Sequence, residues 1–192
     1  LAITPTMESL PFYHAKTTGM FEAEGLNIDL CVFHSQFDAD TAILGTTAQG
    51  GVTDIARVML YATQQKPLKI TSLLGGSWML MGSSEKKIHT TKQLKGKTLA
   101  IARHSASETY SSVSTSAAQL QHEDVLLPQI NDYALRANML NANQVDAAIL
   151  PEPYATVCRI EGQHVLDTYN NGKANIGCLA FKSSFLRDTI NA

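Results

Sequence analysis

Apolar and polar positions along this chain change rhythm repeatedly, and the changeovers mark its elements. Residues 1–4 form a short apolar run that reads as a strand. Pro11 suits the first turn of a helix, where a missing N–H costs nothing; Gly19 ends that helix and Gly25 closes one further turn. Leu26, Ile28, Leu30 and Val32 alternate with Asn27, Asp29 and Cys31, the period of two that marks a strand. Asp38 or Asp40 is placed to cap a helix reaching about Gln49. Gly51-Val52-Thr53 is a short strand, and Asp54 caps a helix to about Gln65. Pro67 breaks that helix before a strand over 68–74. The order β-α-β-α-β-α-β predicts a mostly parallel sheet with helices on its faces.

Gly75-Gly76 interrupts this rhythm, and a second unit of the same kind follows. Trp78-Met79-Leu80-Met81 is extended, 98–102 is a strand, and a helix runs from the polar turn at 104–107 to about His122. Residues 125–130 read as a strand that Pro128 confines to an edge or bulge. A helix over 133–140 leads to the apolar run 145–150, a strand buried on both faces, which Pro151 ends. Pro153 opens the next helix, 165–166 and 176–181 are strands, and a last helix starts after Ser183 or Ser184. The segments 77–83 and 176–182 are the candidate linkers. Two such crossings between α/β lobes make a hinge, and a small ligand favours the cleft between lobes.

The charge balance, 15 Lys+Arg against 17 Asp+Glu without a like-charged block, lacks the basic footprint of nucleic-acid or polybasic membrane binding. No apolar run nears the roughly 20 residues that span a bilayer. Cys31, Cys158 and Cys178 are far apart and outside any C-x-x-C pair, so they read as buried thiols, with one disulfide plus a free thiol as the alternative. His14, His89, His122 and His164 lack partners at ligand spacing, so neither a metal nor a cofactor is expected. The strand at Leu1 without a leader suggests a processed or trimmed N-terminus.

Leu10-Pro11-Phe12-Tyr13-His14-Ala15-Lys16, leading through Gly19-Met20-Phe21 to Glu24-Gly25-Leu26, pairs with Gln144-Val145-Asp146-Ala147-Ala148-Ile149-Leu150-Pro151-Glu152-Pro153-Tyr154. With Gly51-Val52-Thr53-Asp54-Ile55, Gly76-Ser77-Trp78-Met79-Leu80, Leu94-Lys95-Gly96-Lys97 and Leu135-Arg136-Ala137-Asn138-Met139-Leu140, their order resembles the nitrate/sulfonate/taurine and thiamine-pyrimidine-precursor group (SsuA/THI5-like, NMT1) of ABC-importer solute-binding proteins. The resemblance implies a type 2 periplasmic-binding fold with two α/β lobes, two hinge strands and no chemistry. Lobe one would be 1–78 plus 182–192, lobe two 84–175, and the hinges 77–83 and 176–182. It implies an extracytoplasmic protein, in some members a lipoprotein, that hands its solute to a membrane permease. The family's usual C-terminal helices on lobe one are not seen in the sequence, so an apolar face there would be bare or covered by a second copy or a further segment.

In the family the ligand touches strand-end loops and helix N-termini, which points to five places. The first is Met7, Glu8, Ser9 and Leu10, where Ser9 either caps the helix or meets the ligand. The second is His34, Ser35 and Gln36, either a solvated loop or a hydrogen-bonding edge. The third is Thr53-Asp54, where a helix cap is the competing role. The fourth is Gly76, Ser77 and Trp78; the only tryptophan either stacks on a flat ligand or fills a core. The fifth is Arg103, His104, Ser105, Ser107 and Glu108, two serines and a cation before a helix. Glu152 either faces the cleft, contacts the permease, or satisfies backbone donors at the start of the next helix. The leading reading is a binding protein for a small organic solute or anion. The alternative is an enzyme on the same scaffold, of the menaquinone-biosynthesis or pyrimidine-synthase type, with Glu8, Asp54 or Glu108 as general base.

Overall fold

The structure, a computed structural model, describes residues 1–169 and 176–190. The strands are β1 (Ala2–Ile3), β2 (Cys31–Val32), β3 (Gly50–Asp54), β4 (Leu68–Leu74), β5 (Trp78–Gly82), β6 (Leu99–Ala100), β7 (Ala147–Pro151), β8 (His164–Tyr169) and β9 (Gly177–Lys182). The helices are α1 (Leu10–Thr17), α2 (Met20–Ala23), α3 (Gln36–Leu44), α4 (Ile55–Thr63), α5 (Ala106–Ala117), α6 (Tyr133–Asn141), α7 (Tyr154–Ile160) and α8 (Ser183–Ile190). The chain divides into two compact units, Leu1–Gly75 with Asn175–Ala192, and Gly76–Ala174. The expected lobe ends at 175 and 192 lie outside the described residues.

The first unit holds a sheet in the order β2-β1-β3-β9-β4. β1 runs parallel to β2 and β3, while β9 is antiparallel to both β3 and β4. Ala2, Ala39, Ile43, Val58, Cys178 and Ala180 form its core. The second unit holds the order β6-β7-β5-β8, with β6 parallel to β7 and β5 antiparallel to β7 and β8. Every residue of β7 is buried, as its unbroken apolar run requires for a strand covered on both faces. Met81, Ala100, Leu140, Ala148, Leu150 and Cys158 pack around it. The segments expected as crossover strands contain β5, which lies between β7 and β8, and β9, which lies between β3 and β4.

Local chemistry explains where elements begin and end. Gly19, at φ 73°, separates α1 from α2 in a left-handed conformation that glycine adopts without strain. The cap of α3 is Ser35, not Asp38 or Asp40. Ser35 is extended, its Oγ accepts the Asp38 N–H at 3.1 Å, and its hydroxyl donates to Asp38 Oδ2 at 2.7 Å. The helix stops at Leu44 rather than near Gln49. The alternating stretch from Leu26 forms a strand only at Cys31–Val32, because the partner β1 is two residues long. Residues 125–130 are not a strand; the region meets the sheet through the isolated bridges Thr98–Leu126 and Ile101–Gln129, and Pro128 between them has no N–H to extend a ladder. The cysteines are free; Cys158 and Cys178 are buried, and Cys31 is half-buried rather than buried. The edge strand β4 leaves Ile70 and Leu73 41% and 54% exposed. Among the described residues no helix is long and apolar enough to cross a membrane.

Asp146 ties the start of β7 to the strand region beside it. Its Oδ2 accepts the Thr98 N–H at 2.7 Å and the Thr98 hydroxyl at 2.8 Å, while Lys86 Nζ stands 3.0 Å from Oδ1. Burial pushes its carboxyl up, but these bonds outweigh burial and hold it below the ordinary value of 3.8. A carboxylate held low binds fewer protons folded than unfolded, so its contribution is present above that ordinary value and is lost as pH falls through and below it. Asp146→Asn is therefore expected to lose about 2 kcal/mol at pH 7 in urea titration, on the scale of charge-assisted hydrogen bonds. The gap from the parent protein should close in acid.

Candidate functional site

In the first unit the strand-end residues converge on one buried polar cluster. Glu8 follows β1, Gln36 opens α3 after β2, and Thr53 and Asp54 end β3; all four are buried. These are the carboxyl ends of neighbouring parallel strands, where open α/β sheets place ligands. Glu8 lies against β9: a Cβ built on Gly177 would sit 2.8 Å from Glu8 Oε1, so a side chain there would push that carboxylate aside. Gly177 is the cross-strand partner of Asp54, and Cys178 that of Thr53.

Asp40, expected only as a helix cap, and Arg57 and Tyr61, not singled out from sequence, complete the cluster. Asp40 on α3 is 1% exposed and meets Arg57 Nη1 at 3.1 Å. It also accepts the Tyr61 hydroxyl at 3.0 Å and Gln36 Nε2 at 2.8 Å. Gln36 Nε2 donates a second bond to the Val52 carbonyl at 2.8 Å, fastening α3 to β3. Asp54 caps α4 by accepting the Arg57 N–H at 2.9 Å, and its other oxygen stands 3.6 Å from Arg57 Nε. Burial pushes the Asp40 carboxyl up, against the opposing pull of Arg57 and of the Gln36 and Tyr61 donors. Tyr61 is pushed up to about 12, first by burial and then by Asp40. The sequence signal for this network was the i, i+4 spacing of Gln36 with Asp40 and of Arg57 with Tyr61, which places each pair on one helix face.

The other expected residues of this unit divide differently. Met7 and Leu10 are exposed, at 46% and 50%. Ser35 is spent on its cap. Ser9 precedes α1 but makes no side-chain capping bond; its hydroxyl is fully buried and has no hydrogen-bond partner. The Thr53 hydroxyl is likewise buried beside the Asp40 carboxylate without reaching hydrogen-bond geometry.

In the second unit the expected residues gather at one end of the sheet. Trp78 begins β5 opposite Pro151, the last residue of β7, and Glu152 donates its N–H to the Ser77 carbonyl at 3.1 Å. Trp78 is 4% exposed and meets Tyr133 edge-on at 6.1 Å, and Tyr133 lies 5.8 Å from Tyr154. Gly76 and Ser77 are half-buried. Glu152 accepts the Thr156 N–H at 3.0 Å and the Thr156 hydroxyl at 2.9 Å, the backbone-satisfying role at the start of α7.

Arg103 and His104 are exposed after β6, and the His104 N–H donates to Glu108 Oε2 at 2.6 Å. Ser105 and Ser107 are buried, and their hydroxyls are turned inward. Ser105 donates to the Ala102 carbonyl at 2.6 Å, and Ser107 accepts the Ala102 N–H at 2.9 Å. Their part is to cap α5 and fix the loop that carries Arg103. Among the described residues no group of three or more His, Cys, Asp or Glu is placed to hold a metal.

This architecture is the periplasmic-binding-protein fold. The alkanesulfonate-binding protein SsuA of Xanthomonas axonopodis pv. citri, solved with MOPS, matches with a TM-score of 0.80 at 18% identity, over 97% of this chain and 66% of that one. The nitrate-binding protein NrtA of Synechocystis PCC 6803 matches with a TM-score of 0.84 at 12% identity, over 97% of this chain and 56% of that one. An ancestral arginine-binding protein bound to arginine matches at 0.66 and 15% identity, over all of this chain and 88% of that one. The chain thus spans less than two thirds of the length of the sulfonate- and nitrate-binding structures. The NMT1/THI5-like family model matches residues 6–183, and the chain belongs to that family. No curated protein sequence matches it.

Proposed function

We propose that this chain is the solute-binding part of an ABC importer, acting outside the cytoplasmic membrane and passing a small organic solute or anion to a membrane permease. It binds its solute at strand-end residues and returns it chemically unchanged. A nitrate-, sulfonate- or taurine-like solute, or a pyrimidine precursor of thiamine, is the range that its family membership suggests. The observation that carries this reading is the convergence of Glu8, Gln36, Thr53 and Asp54 at the carboxyl ends of parallel strands in a chain of this family. The sulfonate- and nitrate-binding titles of its structural neighbours support it.

Trp78 supplies the readout, because the sole tryptophan lies beside Tyr133 at the strand-end edge of the second unit. Native mass spectrometry of protein purified from its source should show a retained small molecule. Adding that molecule back to stripped protein should change the Trp78 emission and raise the melting temperature. A molecule recovered in altered form, with turnover in time, would replace this reading with the enzymatic one.

A further inference from the structure

We infer that His89 and His164, stacked on each other in the second unit, form a binding site for a divalent transition metal, Cu²⁺ above all, with water completing its coordination. The pair lies away from the strand-end residues described above. In the β5–β8 ladder His164 faces Gly82, while Trp78 faces Tyr169 at the opposite end. The imidazole centroids are 4.3 Å apart and the ring planes are tilted by 36°. His89 comes from the turn after β5 and His164 from the start of β8, so only the fold brings them together. Each ring sits next to a buried anchor. Ile88 is buried and donates its N–H to the Ser83 carbonyl at 3.0 Å, and the His89 N–H donates to Gln93 Oε1 at 2.8 Å. Gln163 is buried too, and its Oε1 accepts the Ser84 N–H at 3.0 Å, which ties the start of β8 to the same turn. The two backbones are thus fixed to each other before an ion arrives, and that preorganisation lowers the cost of binding.

The ring nitrogens are available. Among the described residues, neither imidazole makes a hydrogen bond or an ion pair, and an ion can reach both from solvent, since His89 is exposed and His164 half-buried. The spacing also suits a shared ion. A metal about 2.1 Å from an imidazole nitrogen lies about 3.2 Å from the ring centre, so two rings bound at about 90–109° have centres about 4.5–5.2 Å apart. The observed spacing falls short of this by less than about 1 Å, which a small rotation about each Cβ–Cγ bond supplies, because that torsion has broad wells. Among the described residues no third His, Cys, Asp or Glu joins the pair. Two nitrogens and water match the tetragonal N,O coordination of Cu²⁺, which heads the affinity order of divalent first-row metals; Mg²⁺ and Ca²⁺ take oxygen ligands and are not held. The bound ion clamps the edge strand β8 to the turn after β5.

The test uses the intact chain, stripped with a chelator and desalted, with the metals alone as probes. Calorimetric titration should show one tightest Cu²⁺ site per chain, weaker binding of Ni²⁺ and Zn²⁺, and none of Mg²⁺. Ni²⁺ at about a hundred-fold excess over its dissociation constant should raise the melting temperature by about 5–10 °C. His89→Ala and His164→Ala should each weaken Cu²⁺ about a hundred-fold, because one ligand of a linked pair is lost. Both should leave the melt of the metal-free protein unchanged. His122→Ala alters another exposed histidine and should leave the Cu²⁺ affinity as it was. Electron paramagnetic resonance of the parent Cu²⁺ complex should count two imidazole nitrogens, a result that depends on no variant. Absence of a Cu²⁺ site, a count other than two, or affinity that survives either alanine substitution overturns the inference. So does an equal loss in His122→Ala, which would place the ion elsewhere.

Discussion

Replacing Arg57 with methionine is expected to destabilise the first unit by about 3–5 kcal/mol, the cost of leaving a buried charge without its partner. Arg57 is 3% exposed and Asp40 1% exposed, so water cannot take over the role of the lost guanidinium. Tyr61 and Gln36 would still donate to Asp40, but neither carries charge. Against a typical stability of about 5–15 kcal/mol this is a large fraction, and it corresponds to a fall in melting temperature of about 6–20 °C.

The effect also has a pH signature. In the parent protein burial already raises the Asp40 carboxyl, so its folded form takes up a proton more readily than the unfolded chain. Its contribution therefore declines as pH rises through and above the ordinary value of 3.8. Removing Arg57 removes the main opposing attraction and raises Asp40 further. The deficit of Arg57→Met should accordingly be small in acid, where Asp40 is protonated in both proteins, and full at neutral pH. Asp40→Asn combined with Arg57→Met should recover much of the loss, because no uncompensated charge is left. Thermal melts by circular dichroism across this range decide the matter. A deficit independent of pH would mean that lost packing, not charge, explains it.

The sequence carried most of the fold and only part of the site, for reasons that particular residues show. Periodicity and punctuation located α1, α4, α6, β4, β5 and β7, because Gly19, Asp54, Pro67 and Pro151 act locally. Asp54 was legible as a cap because its bond to the Arg57 N–H spans three residues. The Asp40–Arg57 pair was not legible, because it joins two helices 17 positions apart and depends on how α3 and α4 pack on β3. The same holds for Glu8 against Gly177, a contact across almost the whole chain. Residues 125–130 looked like a strand because their composition suits one. What they lack is a partner ladder, and only the fold reveals that. Ser105 and Ser107 read as free hydroxyls at a helix start, yet the Ala102 backbone claims both.

Arg136 is the second position where a large effect is expected, and here the partners are backbone carbonyls. Its side chain is fully buried on α6. Nε and Nη2 donate to the Ile130 carbonyl at 2.9 and 2.6 Å, and Nη1 donates to the Ile149 carbonyl at 2.7 Å. The fork joins the irregular stretch ending at Ile130 to the central strand β7, doing for that stretch what a ladder would have done. Arg136→Leu removes the charge and three donors, leaving carbonyl oxygens in a site that water does not reach; about 3–5 kcal/mol of destabilisation is expected. Arg136→Lys keeps the charge but has a single nitrogen, which cannot span two carbonyls as a planar fork does, so it should be no better than leucine. The guanidinium also lies 5.6 Å from the Tyr133 ring centroid, and Tyr133 meets Trp78 edge-on. Both variants should therefore change Trp78 emission in the folded protein at temperatures well below their melts. If lysine restores stability to within about 0.5 kcal/mol of the parent, charge alone suffices and the fork geometry has no special part. If the emission is unchanged while stability falls, Arg136 braces β7 without positioning the aromatic cluster at the strand ends.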